Sequence, residues 1–141
     1  MPPPADIAKI NFDDAVFTND NCSGIGVVIR NGSGSVLASC TKKLNQAYSG
    51  EHIEALATAT VLSFASEIGF KQAVLEVDSL AVINALKEGV CLLTPTGLLV
   101  EDVKVLSQRF DQLLYSHTKR EGNFVAHNLA KYAIRIPDFL V

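Results

Sequence analysis

Asp13, Glu54 and Asp78 fall at three places where a mixed α/β chain can gather carboxylates: within a strand, within a helix, and where another strand ends. Anionic oxygen donors suit magnesium, which keeps near-octahedral oxygen coordination and whose charge they offset. Two such ions about 3.5 to 4 Å apart would serve phosphodiester chemistry by activating a water and stabilising a leaving 3′ oxygen. Left without metal, the cluster would repel itself and raise some of its own proton affinities. Each residue also has a plainer explanation. Asp78 suits the N-cap of a helix that follows it. Glu54 suits a solvated acid in a first helical turn. Asp is depleted in strands, so Asp13 marks an edge, a bulge or a site.

The elements that would position these residues follow from periodicity. Residues 8–16 alternate, with Ile10, Phe12 and Ala15 set among Lys9, Asn11 and Asp13, which predicts a half-buried strand with Asn11 and Asp13 on one face. Gly24 to Arg30 is nearly all apolar and turns at Asn31-Gly32 into Val36 to Thr41, making an antiparallel meander of the three opening strands. From Glu51 to Ile68, the positions Ile53, Leu56, Ala57, Thr60, Phe64 and Ile68 keep helical spacing, with Ser49 before the first turn and Gly69 as the stop. Ala73 to Val77 reads as a strand that runs directly into a helix with Leu80, Ile83 and Leu86 inward, so Asp78 stands at a strand-to-helix junction. After a loop over 89–97, Leu99, Val103, Leu106 and Phe110 mark a third helix, and Leu113 to His117 a fifth strand. A final helix from Gly122 to Arg135 turns Val125, Leu129, Tyr132 and Ile136 inward before Pro137 ends it. The expected fold class is α/β: a five-stranded mixed sheet, its first three strands antiparallel, with helices on both faces and right-handed crossovers. Ligands on such sheets collect at strand ends, where Asp78 lies.

At 141 residues and 48% hydrophobic composition, the chain suits one domain with one core. We place that domain at 8–137, with 1–7 a linker or fragment of upstream sequence in extended polyproline form and 138–141 a C-terminal tail. A net charge of −3, with 12 Lys and Arg that never cluster beyond pairs, excludes strong sequence-independent attraction to a polyanion. Cys22, Cys40 and Cys91 are odd in number and lack CxxC spacing, which argues against a disulfide framework or zinc site and for a reducing intracellular compartment, nuclear or cytoplasmic. No apolar run approaches the roughly 18 residues of a membrane span, so no membrane partner is expected.

The strings KINFDDAVF on the first strand, GIGVVIRNGSGSVLAS on the hairpin, EHIEALATA on the first helix, LEVDSLAVINAL at the junction and SHTKREGNFVAHNLAK at the end follow one another along nearly the whole chain. Each is weak alone. In this order they resemble ribonuclease H, specifically the plant reverse-transcriptase-like type 1 ribonuclease H domains. The resemblance implies a ribonuclease H-like fold and metal-dependent endonucleolytic hydrolysis of the RNA strand of RNA–DNA hybrids. It also implies two magnesium ions, with manganese able to substitute, held by Asp13, Glu54 and Asp78. His117 matches a mobile family histidine that assists proton transfer and product release; its plain alternative is a surface histidine at a strand end. Asn123 matches an asparagine near the substrate, although a helix N-cap ranks first. Asn19, Asn21, Ser79 and Asn123 are the candidates for meeting 2′-hydroxyls across the hybrid's wide, shallow groove.

Two positions depart from the family. His127 stands where many ribonucleases H carry a fourth Asp; it is either a metal partner, better suited to manganese than to magnesium, or a residue behind the ligands or on the helix surface. Asp14 replaces the usual Gly and adds bulk and negative charge near a phosphate path. The chain also lacks Trp, has no room in 89–97 for a basic protrusion, and carries Leu80 where bacterial relatives have a polar contact. These features favour weak binding of nucleic acid or help from additional domains in a longer parent protein. The rival expectation is a catalytically weak or inactive ribonuclease H-like module that binds nucleic acid or protein. A third is an exonuclease or resolvase on the same superfamily fold.

Overall fold

The first strand runs through the middle of the sheet, and that placement decides what its polar residues can be. The computed structural model describes residues 7–48, 50–77, 103–117, 124–136 and 139–141. Its elements are β1 (Ala8–Phe17), β2 (Cys22–Arg30), β3 (Val36–Leu44), α1 (Gly50–Glu67), β4 (Gln72–Val77), β5 (Gln112–His117), α2 (Phe124–Tyr132) and β6 (Phe139–Leu140). Residues 103–107 are also helical. The expected helix after Asp78 and the loop over 89–97 lie outside the described residues.

The five expected strands are present in the order β5-β4-β1-β2-β3, and β6 adds a sixth, two-residue strand on β3. The pairing of β1 with β2 is antiparallel and unbroken from Lys9 opposite Arg30 to Phe17 opposite Cys22. On its other side β1 pairs parallel with β4, from Ala8 opposite Ala73 to Asn11 opposite Glu76. Asp13 therefore sits neither on an edge strand nor at a bulge; the register shift in this sheet lies between β2 and β3, at Ile29/Arg30.

Alternation gives the sheet two unlike faces. Ile10, Phe12, Ile25, Val27, Ile29, Leu75 and Val77 pack with Ala57, Val61, Leu62, Phe64 and Ala65 of α1, and with Val103 and Phe110, into the main core. Each large side chain fully buried there contributes roughly 1.5–3 kcal/mol. Helix α1 ends as expected at Gly69, which takes φ +99°. The amides of Gly69 and Phe70 donate to the carbonyls of Ser66 and Ala65 at 3.1 Å, a Schellman arrangement that satisfies two terminal acceptors. The face that α1 buries is broader than the expected stripe: Ala55, Thr58, Val61 and Leu62 are buried, whereas Ile68 is 45% exposed. Apolar residues surround much of this helix, so spacing alone did not choose its inner face.

The opposite sheet face carries α2, at unusually close range. A Cβ on Gly24 or Gly26 would collide with the carbonyl oxygens of Ala130 and Ala126, respectively. The helix accordingly buries Ala126 and Ala130, followed by Ala133; of the expected inward set Ile136 is buried and Leu129 half-buried, whereas Val125 and Tyr132 are exposed. Close approach rewards small residues, and the large ones turn outward. Thr41 of β3 donates its hydroxyl to the Leu129 carbonyl and fixes the helix laterally. The β2–β3 connection spans Asn31 to Ser35 rather than a two-residue turn. Asn31 Oδ1 accepts the amides of Ser33 at 3.1 Å and Ser35 at 2.9 Å, and Gly34, not Gly32, takes positive φ.

Candidate active site

Alternation directs Asp13 to the α2 face of β1, where it is 7% exposed. A carboxylate so buried needs hydrogen bonds. Oδ1 accepts the backbone N–H of Asp14 at 2.9 Å, and Oδ2 lies 2.7 Å from His127 Nδ1. Because a carboxylate only accepts, Nδ1 carries the shared proton. His127 thus stands directly behind the Asp13 carboxylate, half-buried, with Nδ1 engaged by Oδ2. The close seat of α2 on Gly24 and Gly26 is what brings this imidazole to the strand.

Behind Asp13 on the same face lies a polar network that crosses three strands. Buried Asn11 donates Nδ2–H to Glu76 Oε2 at 2.5 Å, and Lys9 Nζ lies 2.9 Å from Glu76 Oε1. Arg30 Nη1 donates to Asn11 Oδ1 at 3.4 Å. The network joins β2, β1 and β4 and leaves Glu76 with a cation and an amide as partners. Sequence reasoning noticed that Asn11 shares the face of Asp13 but passed over Glu76, Lys9 and Arg30; the available signal was a carboxylate on β4 flanked by apolar Leu75 and Val77.

Glu54 occupies the second turn of α1, on the other side of the sheet. Its side chain is half-buried, with Oε2 shielded from solvent, which is not the setting of a fully solvated acid. The approach to α1 is fastened from below. Ser23 is fully buried, its hydroxyl donating to the Gln46 carbonyl at 2.8 Å and accepting the Tyr48 amide at 3.2 Å. Asn21, in the left-handed region at φ 46°, accepts the Ala47 amide through Oδ1 at 3.1 Å, so this candidate substrate contact serves as a loop clamp. The Tyr48 and His52 rings stack at 4.8 Å across the helix start. Asn19 is exposed in a 3-10 turn over Thr18–Asp20.

His117 is exposed at the end of β5, opposite Val77, the residue before Asp78. Asp14 is half-buried and points to the α1 face, away from the Asp13 carboxylate. Asp78, Ser79 and Asn123 lie outside the described residues. Among the described residues, Asp13 and His127 meet directly, and no group of three metal-ligating side chains forms.

A family model described as reverse transcriptase-like matches residues 11–133, a span that includes Asp13, Glu54, Asp78, His117 and His127. The chain belongs to the reverse transcriptase-like family. No curated relative matches it. This reverse transcriptase-like domain has the ribonuclease H fold, as solved structures show. Ribonuclease H1 of the halophilic archaeon Halobacterium salinarum is 24% identical with a TM-score of 0.81, covering 92% of this chain and 98% of its own. The N-terminal ribonuclease H domain of a Mycobacterium tuberculosis protein is 24% identical with a TM-score of 0.78, covering 92% of this chain and 94% of its own. The compost-derived LC11 ribonuclease H1, solved with an RNA/DNA hybrid, is 22% identical with a TM-score of 0.78, covering 91% of this chain and 96% of its own. No helix among the described residues of this reverse transcriptase-like domain is long and apolar enough to cross a membrane.

Proposed function

We propose that the domain hydrolyses the RNA strand of RNA–DNA hybrids internally, with divalent metal, leaving 5′-phosphate and 3′-hydroxyl ends. The observation that carries this reading is Asp13: a buried carboxylate in an unbroken central strand, two residues beyond the last β1–β4 pair. Neither an edge nor a bulge accounts for it, which supports reading it as part of a site. Asp78 follows Glu76 by the same two positions in the chain by which Asp13 follows Asn11, the parallel partner of Glu76. The solved LC11 complex with a hybrid supports the same substrate class.

The donor set fits a hard cation, since Asp13, Glu54 and Asp78 all offer carboxylate oxygen. Divalent ions held there would lower the pKa of the attacking water and stabilise the departing 3′ oxygen. The Asp14 amide orients the Asp13 carboxylate, His117 assists proton movement or product release at the end of β5, and Asn19, Asn21, Ser79 and Asn123 remain the candidates for meeting the RNA 2′-hydroxyls. An intracellular site of action, nuclear or cytoplasmic, belongs to the same proposal.

The 2.7 Å bond between His127 and Asp13 favours a second reading, a module that binds hybrid with little cleavage. Incubating the domain with labelled hybrid in magnesium and in manganese, beside an Asp13→Asn, Asp78→Asn double variant, separates the two. Cleavage that disappears in the variant supports the enzyme; binding without cleavage supports the module.

A further inference from the structure

Both oxygens of Asp13 are engaged, and their partners differ in what they can give up. The amide on Oδ1 belongs to Asp14, in the backbone of a strand paired with β2, and cannot leave without breaking the sheet. The imidazole on Oδ2 belongs to a side chain that is 32% exposed and can turn about its own torsions. The ring can do so while α2 keeps its seat, its backbone packed closely on Gly24 and Gly26. A donor hydrogen and a divalent ion are both positive and both seek the same carboxylate oxygen, so each weakens the other there.

We infer that His127 is a positioning residue that competes with a divalent cation for Asp13 Oδ2, holding the carboxylate in place until the ion binds and then releasing it by ring rotation. The inference rests on the reading of Asp13 as a cation ligand. It differs from a direct metal ligand in sign: removing the imidazole should strengthen cation binding.

The test uses the full chain, melted thermally across titrations of magnesium chloride and manganese chloride, with His127→Ala and Asp13→Asn beside the wild type. Ligand binding to the native state raises the melting temperature with saturation. Without cation, His127→Ala should melt below the wild type. Its half-saturating magnesium concentration should fall roughly tenfold, as expected if about 1.4 kcal/mol of competition is removed. Nuclear magnetic resonance of the wild type keeps the question open to disproof if the Ala variant does not fold: magnesium should shift the His127 ring signals and abolish its Nδ1–H signal, while α2 backbone signals remain. The inference fails alone if the response depends on Asp13 yet His127→Ala needs as much magnesium or more, or if the Nδ1–H signal survives saturation. A response that survives Asp13→Asn, or no saturable response in any form, overturns both the inference and the metal reading beneath it.

Discussion

Burying Asp13 against an imidazole sets the chemistry of this site more tightly than any count of its carboxylates. Were His127 replaced by Asp, two anions would meet where one hydrogen bond now stands. We expect His127→Asp to lower metal-free stability by at least about 1.5 kcal/mol, the lower end for a hydrogen bond to a charged group. Manganese tolerates a site with imidazole better than magnesium does, so the manganese-to-magnesium activity ratio should be higher in the wild type than in His127→Asp; equal ratios would remove His127 from the cation's surroundings. Away from the site, Cys40 is 2% exposed, and burial pushes its thiol up to about 11 from 9.0, against a smaller opposing effect of Lys42. The native state thus keeps a proton that the unfolded chain sheds above its ordinary thiol pKa. The resulting stability is complete below that value and is lost as pH rises through about 9 to 11. Urea unfolding should show wild-type stability falling across that window by up to about 3 kcal/mol more than in Cys40→Ala.

Among the elements, strands were far more legible in the sequence than the inner faces of helices. The five main strands begin within two residues of expectation, because β-branched runs bounded by turn residues leave little freedom. The C-terminal helix was different: Val125 and Tyr132 looked like core, yet the strand beneath offers Gly24 and Gly26, and the contact selects Ala126 and Ala130 instead. That complementarity joins segments about a hundred residues apart and has no local signature. The Asp13–His127 bond was invisible for the same reason, although both residues stood out by type. Gly26→Ala should force α2 away from β2, costing at least about 1–3 kcal/mol in urea unfolding and weakening the Asp13–His127 contact; an unchanged midpoint would mean that the helix can shift freely. Asn11→Leu should cost a similar amount, about 1–3 kcal/mol, by leaving half-buried Glu76 without its amide donor.

At the scale of the whole molecule, a net charge of −3 and the lack of any basic run leave hybrid recognition to local contacts. The reverse transcriptase-like assignment and the ribonuclease H fold account for the scaffold, and fold alone does not set activity. We expect Asp13 within β1, Glu54 in α1 and Asp78, which follows β4 in the chain, to share a bound cation. Anomalous diffraction from crystals soaked in manganese tests it most directly. A manganese peak is expected about 2.1 Å from carboxylate oxygens of Asp13 and Asp78, with Glu54 in reach of the same ion or its neighbour, and the His127 ring turned from Asp13. Manganese bound only elsewhere, with the Asp13–His127 bond intact, would contradict it.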